Sequence, residues 1–338
     1  MIVLGLESSC DETSVSIIAD GVIKSNLISS QDFHIKYGGV VPELSSRAHL
    51  QIINPLVKQS LKEANISLEE IDLVCATAGP GLIGALLIGL TYGKALAYGI
   101  GKPFIPVDHV EGHLFSGFLM EEKPEYPFLS LTVSGGHTLL LLVSSPIEIK
   151  KLGTTIDDAV GEAFDKVSKM LGFGYPGGPK IQEAASKYSG ELIPFPISNT
   201  KGEFDFSFSG IKTSVLRFIQ NNFDSAENLI HSDKNMIAAS FQYYAIKALI
   251  QRVEKALKNY SVNSLSLSGG VAANKLLREE FSLIAKRNNK KLIIPDIQFC
   301  GDNAAMIAYR GEMLFKEGLS FSSELNAYPS LTFNKLIR

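Results

Sequence analysis

The run His109-Val110-Glu111-Gly112-His113 is the strongest chemical signal in the chain. Two histidines at i and i+4 lie on one face of a helix, about 6 Å apart along its axis, where both imidazoles can reach one metal ion. Because such a pair also arises by chance, it needs a third ligand. Asp302 in FCGDNAAMIA, at the head of the last helix, is the best candidate, and its alternative role is a helix N-cap. Two His and one Asp with open positions suit Fe(II) or a catalytic Zn, and the residues alone do not choose between them. Glu111 is two positions past His109 and so about 200° around the helix, which denies it the general-base role that glutamate has in HExxH peptidases. With Asp108 it reads as a capping box instead.

Three glycine-rich turns form a second group: Ser134-Gly135-Gly136-His137, Pro176-Gly177-Gly178-Pro179 and Ser268-Gly269-Gly270. Glycines there let backbone N–H groups approach phosphate oxygens. None matches the Walker or dinucleotide spacing, so the turns favour a phosphate-bearing ligand without indicating a P-loop or Rossmann site. Asp11 and Glu12 fall in the polar turn ESSCDET, and Asp165 with Lys166 falls on a helix; taken alone, each pair reads as a solvated turn or face. The basic run Arg287 to Lys291, together with Lys275 and Arg278, could touch nucleic-acid phosphate, although most such runs are merely solvated.

The elements that must position these residues follow one design used twice. Residues 2 to 6, 14 to 19 and 22 to 28 read as a three-stranded meander, and the same grammar returns at 128 to 133, 138 to 143 and 147 to 152. After the first meander come a helix over 47 to 64, a strand over 71 to 77 and a helix over 82 to 100. After the second come helices near 158 to 171, 178 to 188, 207 to 222 and 234 to 259, a strand at 264 to 268 and a helix at 272 to 287. The fold class is therefore α/β, with two lobes and a cleft between them. The lobes are 1–122 and 127–301, joined by the Pro-containing linker at 120 to 127, and 302–338 returns to the first lobe through a helix from Asn303 to about Phe315. Ala85, Gly89 and Gly93 form a stripe of small side chains that suits either tight packing within the lobe or a partner surface.

Composition narrows the classes. With 32 Lys and Arg against 35 Asp and Glu, the net charge of −3 provides no overall basic field. Cys10, Cys75 and Cys300 are too few for a disulfide framework and suit a reducing cytosol. The N-terminus meets Asp11 and Glu12 before any signal-like apolar run develops. The uncharged stretch from Leu73 to Gly93 is broken by Gly79-Pro80-Gly81, which leaves too short an apolar helix to span a bilayer.

The runs LGLESSCDETS, YGGVVPELSSRAHL, AGPGLIGALLIGL, PVDHVEGHL, LTVSGGHT, GEAFDKVSKMLGFGYPGGP, FDFSFSGIKT, LSLSGGVAAN and CGDNAAMIA occur in order from Ile2 to about Ala308. Together the chain resembles the tRNA N6-adenosine threonylcarbamoyltransferase family, TsaD, in its bacterial form. The resemblance implies the actin, hexokinase and sugar-kinase ATPase fold. It also implies one divalent metal, usually iron, with zinc as the other option, at His109, His113 and Asp302. Threonylcarbamoyl-AMP, or ATP or AMP, would lie at Thr132, Val133, Ser134, Gly135, Gly136, Asp165, Gly178 and Asn274. The implied reaction carries the threonylcarbamoyl group to N6 of the adenosine beside the tRNA anticodon, with Asp11, Glu12 or His137 as candidate acceptors of the amine proton. Implied partners are tRNA, a TsaB-like inactive paralogue for which the 82 to 100 helix is the candidate surface, and a TsaE-like ATPase. A separate synthase supplies the adenylate, all in the cytoplasm and with no membrane. A metal peptidase and a small-molecule kinase or ATPase are the competing classes.

Overall fold

A computed structural model describes residues 1–37, 39–223, 229–322 and 324–330, among which are ten strands and nine α-helices. In chain order these begin β1 (Ile2–Glu7), β2 (Glu12–Ala19), β3 (Val22–Ser30), α1 (Pro42–Ala64), β4 (Leu73–Gly79), α2 (Ile83–Gly99), β5 (Phe104–Asp108) and α3 (His109–Phe115). They continue with β6 (Phe128–Val133), β7 (Thr138–Ser145), β8 (Glu148–Thr154), α4 (Val160–Met170), α5 (Gly177–Ser186), α6 (Ser209–Asn222) and α7 (His231–Asn259). The last are β9 (Ser264–Ser268), α8 (Lys275–Arg287), β10 (Lys291–Ile293) and α9 (Ala304–Lys316). The chain divides into two compact units. Unit 1 is Met1–Lys123, Ser145–Ile149 and Pro295 onward; unit 2 is Pro124–Ser144 and Lys150–Ile294. Within unit 1, Pro146 O accepts a hydrogen bond from Arg310 Nη1 (2.8 Å).

The sheet of unit 1 has the order β3-β2-β1-β4-β5. β1, β2 and β3 form the antiparallel meander, while β4 runs parallel to β1 and β5 parallel to β4. β1 is covered on both faces, which is why it reads as a continuous apolar run. Val3 faces α9 among Ile18, Cys75, Val107, Met306 and Leu314. Leu4 and Leu6 face the other way, among Val15, Ile17, Leu56, Val74 and Ala97 under α1 and α2. Each such buried aliphatic side chain contributes roughly 1.5–3 kcal/mol. Gly5 is required by the first face: a Cβ there would stand 2.5 Å from Ala304 O. That approach seats the first turn of α9 against β1 and fixes the position of the preceding Asp302.

The small-residue stripe of α2 is used internally. A Cβ on Gly89 would be 2.3 Å from Ser8 Oγ, one on Gly93 would be 3.0 Å from the Ala76 Cβ, and Ala85 is fully buried. The stripe is therefore not a partner surface; the large apolar side chains that α2 exposes are Ile83, Leu87 and Tyr98. Two elements of unit 1 differ from the sequence reading. α1 starts at Pro42 rather than at residue 47, with proline in the first turn where its missing N–H costs nothing. β5 is a strand hidden in the sequence by Pro103 and Pro106, and Pro106 is tolerated because β5 is an edge strand.

Unit 2 repeats the order as β8-β7-β6-β9-β10, with β6 and β7 antiparallel and β9 parallel to both β6 and β10. β10, also an edge strand, begins at the end of the basic run, whose charges mask it in the sequence. Among the described residues no helix is long and apolar enough to cross a membrane.

Candidate functional site

α3 starts where it does because Asp108 caps it: Oδ1 accepts from Val110 N (2.9 Å) and Glu111 N (3.1 Å). Asp108 Oδ2 accepts from Tyr328 OH (2.8 Å), and burial, reinforced by the neighbouring Glu111, pushes the Asp108 carboxyl up to about 7. The expected capping box is only half formed. Glu111 does not reach back to the cap; its Oε2 accepts from Arg310 Nε (2.9 Å) and Nη2 (2.6 Å). The guanidinium of Arg310 is fully buried and stacks 4.0 Å from the centroid of the Phe115 ring. Glu111 is thus turned away from the histidine face, as its helical position requires.

On that face the rings of His109 and His113 stand 4.7 Å apart, nearly perpendicular. Asp302 Oδ1 lies 3.0 Å from His113 Nε2 and 3.5 Å from His109 Nε2. One potential ligand atom from each of these residues falls within 4.8 Å of the other two. Asp302 is not the cap of α9. That role belongs to Asn303, whose Oδ1 accepts from Met306 N (3.1 Å), and the Asp302 carboxylate is left to the histidines.

A fourth residue, absent from the sequence reading, completes the cluster. Glu7, at the buried end of β1, takes Ser9 N on Oε1 (2.6 Å) and Thr77 Oγ1 on Oε2 (2.6 Å). Its Oε2 also lies 3.1 Å from His109 Nδ1, with Ser9 Oγ at 3.1 Å from the same nitrogen. Nδ1–H therefore points at Glu7, and Nε2 points towards Asp302. Burial works against a charge on His109, but the carboxylates of Asp302 and Glu7 outweigh it and raise its pKa to about 10. Burial likewise works against the charge on Glu7, and His109 beside it holds the carboxyl below its ordinary range. The cluster thus attracts positive charge. His113 Nδ1, in addition, is buried and has no hydrogen-bond partner. Two imidazole nitrogens and one carboxylate oxygen at this spacing fit a divalent ion of the Fe(II) or Zn kind.

Asp11 closes the turn from β1 into β2, and Glu12 is the first residue of β2. Burial pushes the Glu12 carboxyl up to about 9, with Asp302 and Asp11 adding to the rise, so the turn and the His/Asp cluster share one electrostatic environment. Burial chiefly, with Asp11 next, also raises the Cys10 thiol far above its ordinary range.

In unit 2 two of the glycine turns follow β6 and β9, and the third opens α5. The Ser134–His137 turn is closed by Ser134 N donating to His137 O (2.8 Å) and His137 N donating to Ser134 Oγ (3.1 Å). Gly269 has φ +87° and would place a Cβ 2.3 Å from Val133 O. Gly161, in the first turn of α4, would place one 2.5 Å from Ser134 O. Asp165 Oδ1 accepts from Gly177 N (2.7 Å) and ties the Pro176–Gly178 turn to α4; burial chiefly raises its carboxyl. Beside Gly135, Gly136, Gly178 and Gly270 a Cβ would meet only open space. Thr132 Oγ1 bonds Ser268 Oγ (3.1 Å), joining β6 to β9. Asn274 caps α8 by accepting from Leu277 N (3.1 Å) and donates to Gln242 Oε1 (2.8 Å). Lys166 pairs with Asp158 (2.7 Å) and Glu162 (2.8 Å), while Arg278 Nε donates to Ala272 O (2.6 Å), so these two cations are engaged within the unit. Gly161 and Gln242 are site residues that the sequence reading did not single out.

The two like-ordered sheets define the actin-like ATPase fold. Among solved structures, the HypF of T. kodakarensis matches with a TM-score of 0.63 at 14% identity, covering 94% of this chain and 48% of that one. Component A of the (R)-2-hydroxyglutaryl-CoA dehydratase of Acidaminococcus fermentans matches with a TM-score of 0.55 at 14% identity, covering 92% and 97%. These likenesses establish the fold. The model of the TsaD family, tRNA N6-adenosine threonylcarbamoyltransferase, matches residues 21–309, and the chain belongs to that family of enzymes. The tRNA N6-adenosine threonylcarbamoyltransferase of Thermosipho africanus is 49% identical over 335 residues, 98% of this chain and 99% of the relative. That of Kosmotoga olearia is 46% identical over 338 residues, 99% and 100% of the two chains.

Proposed function

We propose that this chain transfers the threonylcarbamoyl group of threonylcarbamoyl-AMP to N6 of adenosine 37 in tRNAs that read codons beginning with A, releasing AMP. The observation that carries the reading, beside family membership, is the convergence of His109, His113 and Asp302 in the environment of the Asp11–Glu12 turn. The exocyclic amine is a poor nucleophile because its lone pair is delocalised into the ring, so the acyl group must arrive activated. N6 attacks the carbamoyl carbon, the bond from that carbon to the phosphate oxygen breaks, and AMP leaves with the electron pair. A divalent metal held by His109, His113 and Asp302, Fe(II) first and Zn second, supplies a Lewis acid for the threonylcarbamoyl group.

The chain's own residues then have distinct tasks. Glu7 fixes the orientation of His109. The backbone N–H groups of Gly135 and Gly136, with Gly178, hold the adenylate phosphate and stabilise its growing charge, beside Thr132, Val133 and Ser134. Asp165 keeps the Gly177 turn in place, and Asn274 keeps the head of α8 in place. The amine proton goes to Asp11 or His137, or to Glu12 where that carboxyl is ionised, which its burial disfavours. tRNA is the second substrate, the synthase that makes the adenylate is a separate enzyme, and the setting is the cytoplasm. A TsaB-like paralogue and a TsaE-like ATPase are the assembly partners, and the exposed Ile83 and Leu87 of α2 supply apolar surface for the first. The peptidase alternative lacks its base, because Glu111 is committed to Arg310.

The test is to incubate the protein with threonylcarbamoyl-AMP and unmodified tRNA, with and without these partners, and to analyse the digested nucleosides by mass spectrometry. Threonylcarbamoyladenosine is expected, and is expected to be lost with His109→Ala. No product from folded, metal-loaded protein with its partners, accompanied by phosphate release from ATP without tRNA, would establish the kinase or ATPase class instead.

A further inference from the structure

We infer that His49 is a positioning residue: with Ser45 it clamps the Cys10 carbonyl and so holds the turn that presents Asp11 and Glu12. The inference rests on the proposed reaction only in that those two carboxylates act in it.

The backbone of the turn is pinned at each step by a different element. Ser9 O accepts from Leu82 N (2.8 Å) and Asp11 O from Gln31 N (3.1 Å). Between them, Cys10 O accepts from His49 Nε2 (3.0 Å) and from Ser45 Oγ, two residues one helical turn apart on the same face of α1. Ser45 Oγ also stands 3.1 Å from His49 Nε2. Because Cys10 O can only accept, Nε2 carries the proton; Nδ1 is then the acceptor and takes Thr13 Oγ1–H (2.7 Å). His49 therefore grips the turn on both sides of Asp11 and Glu12, at Cys10 and at Thr13, through one imidazole with no exposed surface.

A second buried imidazole supports this grip at the N-terminal end of α1. His34 Nδ1 accepts from Val41 N (3.2 Å), and its Nε2 donates to Gln31 Oε1 (2.9 Å). Gln31 Nε2 in turn donates to Ser45 O (3.3 Å). Burial holds His49 below the ordinary histidine range against the opposing pull of Glu7 and Asp11, consistent with a neutral ring that donates once and accepts once. A purely space-filling role would need neither polar contact. The function of the ELSSRAHL stretch, on this account, is to supply Ser45 and His49 to the turn.

The test compares His49→Ala and His49→Gln in the full chain, assayed with its partners for threonylcarbamoyladenosine formation and by amide hydrogen exchange on peptides covering residues 8 to 14. Gln can reach Cys10 O with an amide N–H and is expected to keep kcat within about threefold of wild type, whereas Ala is expected to lower kcat about tenfold or more with both KM values within about threefold. In the Ala variant alone the turn amides should exchange about tenfold faster or more, with the metal content per chain unchanged. Unchanged exchange in His49→Ala overturns the inference, as does an equal kcat loss in both variants. Should His49→Ala not fold, Ser45→Ala, which removes one of the two bonds to Cys10 O, faces the same criteria. A wild-type protein that makes no product overturns the proposed reaction, and the exchange comparison still decides whether His49 holds the turn.

Discussion

Glu7 Oε2 stands 3.1 Å from His109 Nδ1, and three other hydrogen-bonding groups, Thr77 Oγ1, Ser9 N and Ser9 Oγ, fix the pair in place. A carboxylate behind a histidine fixes its tautomer and makes the far nitrogen a better ligand. Glu7→Gln removes that charge at nearly constant volume and should weaken Fe(II) or Zn binding by about 10- to 100-fold. Chelator competition at fixed pH measures this, with circular dichroism as the check on folding. Equal affinity in the variant would reduce Glu7 to a structural partner of Thr77.

Glu111 and Arg310 form a charge pair with almost no solvent contact, their side chains being 3% and 0% exposed. Removing one partner strands the other, so Glu111→Gln should destabilise unit 1 by about 3–5 kcal/mol, read from urea unfolding. The double variant Glu111→Leu/Arg310→Met, which buries no charge, should lie closer to wild type than either single change. If Glu111→Gln left stability untouched while abolishing turnover, Glu111 would have a chemical role after all.

Asp158 binds two ammonium groups, Lys166 Nζ at 2.7 Å and Lys212 Nζ at 2.5 Å. Burial resists its charge, but the two lysines win and hold its carboxyl below the ordinary range. A depressed pKa in the folded state gives stability that is present above the unfolded value, about 3.9, and is lost as the pH falls through the folded one. Asp158→Asn should therefore cost about 1–2 kcal/mol at pH 7. The gap between variant and wild type should close as the pH drops below about 4. Denaturation midpoints at several pH values decide it, and a gap independent of pH would mean that the charge contributes nothing.

Where the sequence was readable, the reason was periodicity. Both meanders are built of strands whose apolar runs are broken by polar turns, and both formed as read. β5 and β10 escaped because edge strands tolerate what central strands do not, Pro106 in one and Lys291 in the other. The His109, His113 and Asp302 cluster was readable in part: helix geometry pairs the histidines, but only the fold brings in an aspartate 189 residues from His113. Between the adjacent residues Asp302 and Asn303, sequence could not say which caps α9. Glu7 and Arg310 left weaker traces, a carboxylate closing an apolar strand and a guanidinium inside an apolar helix. Each marks a buried charge that needs a partner, and neither names that partner.

Gly161 makes the sharpest demand in unit 2. A Cβ there would stand 2.5 Å from Ser134 O and 2.8 Å from Gly135 Cα, and since both are backbone atoms no side chain can swing aside to relieve the clash. Alanine is the better helix former by about 1 kcal/mol in a helix interior, which offsets only part of a clash with backbone, so Gly161→Ala should destabilise unit 2 on balance. The turn has to move, and with it the N–H groups of Gly135 and Gly136. Threonylcarbamoyl-AMP binding, measured by calorimetry, should weaken about tenfold or more, because phosphate held by backbone donors depends on their direction. Metal content should be unchanged, since His109, His113 and Asp302 all belong to unit 1. An unchanged Kd would remove the Ser134–Gly136 turn from the nucleotide site and leave the Pro176–Gly178 turn to hold the phosphate.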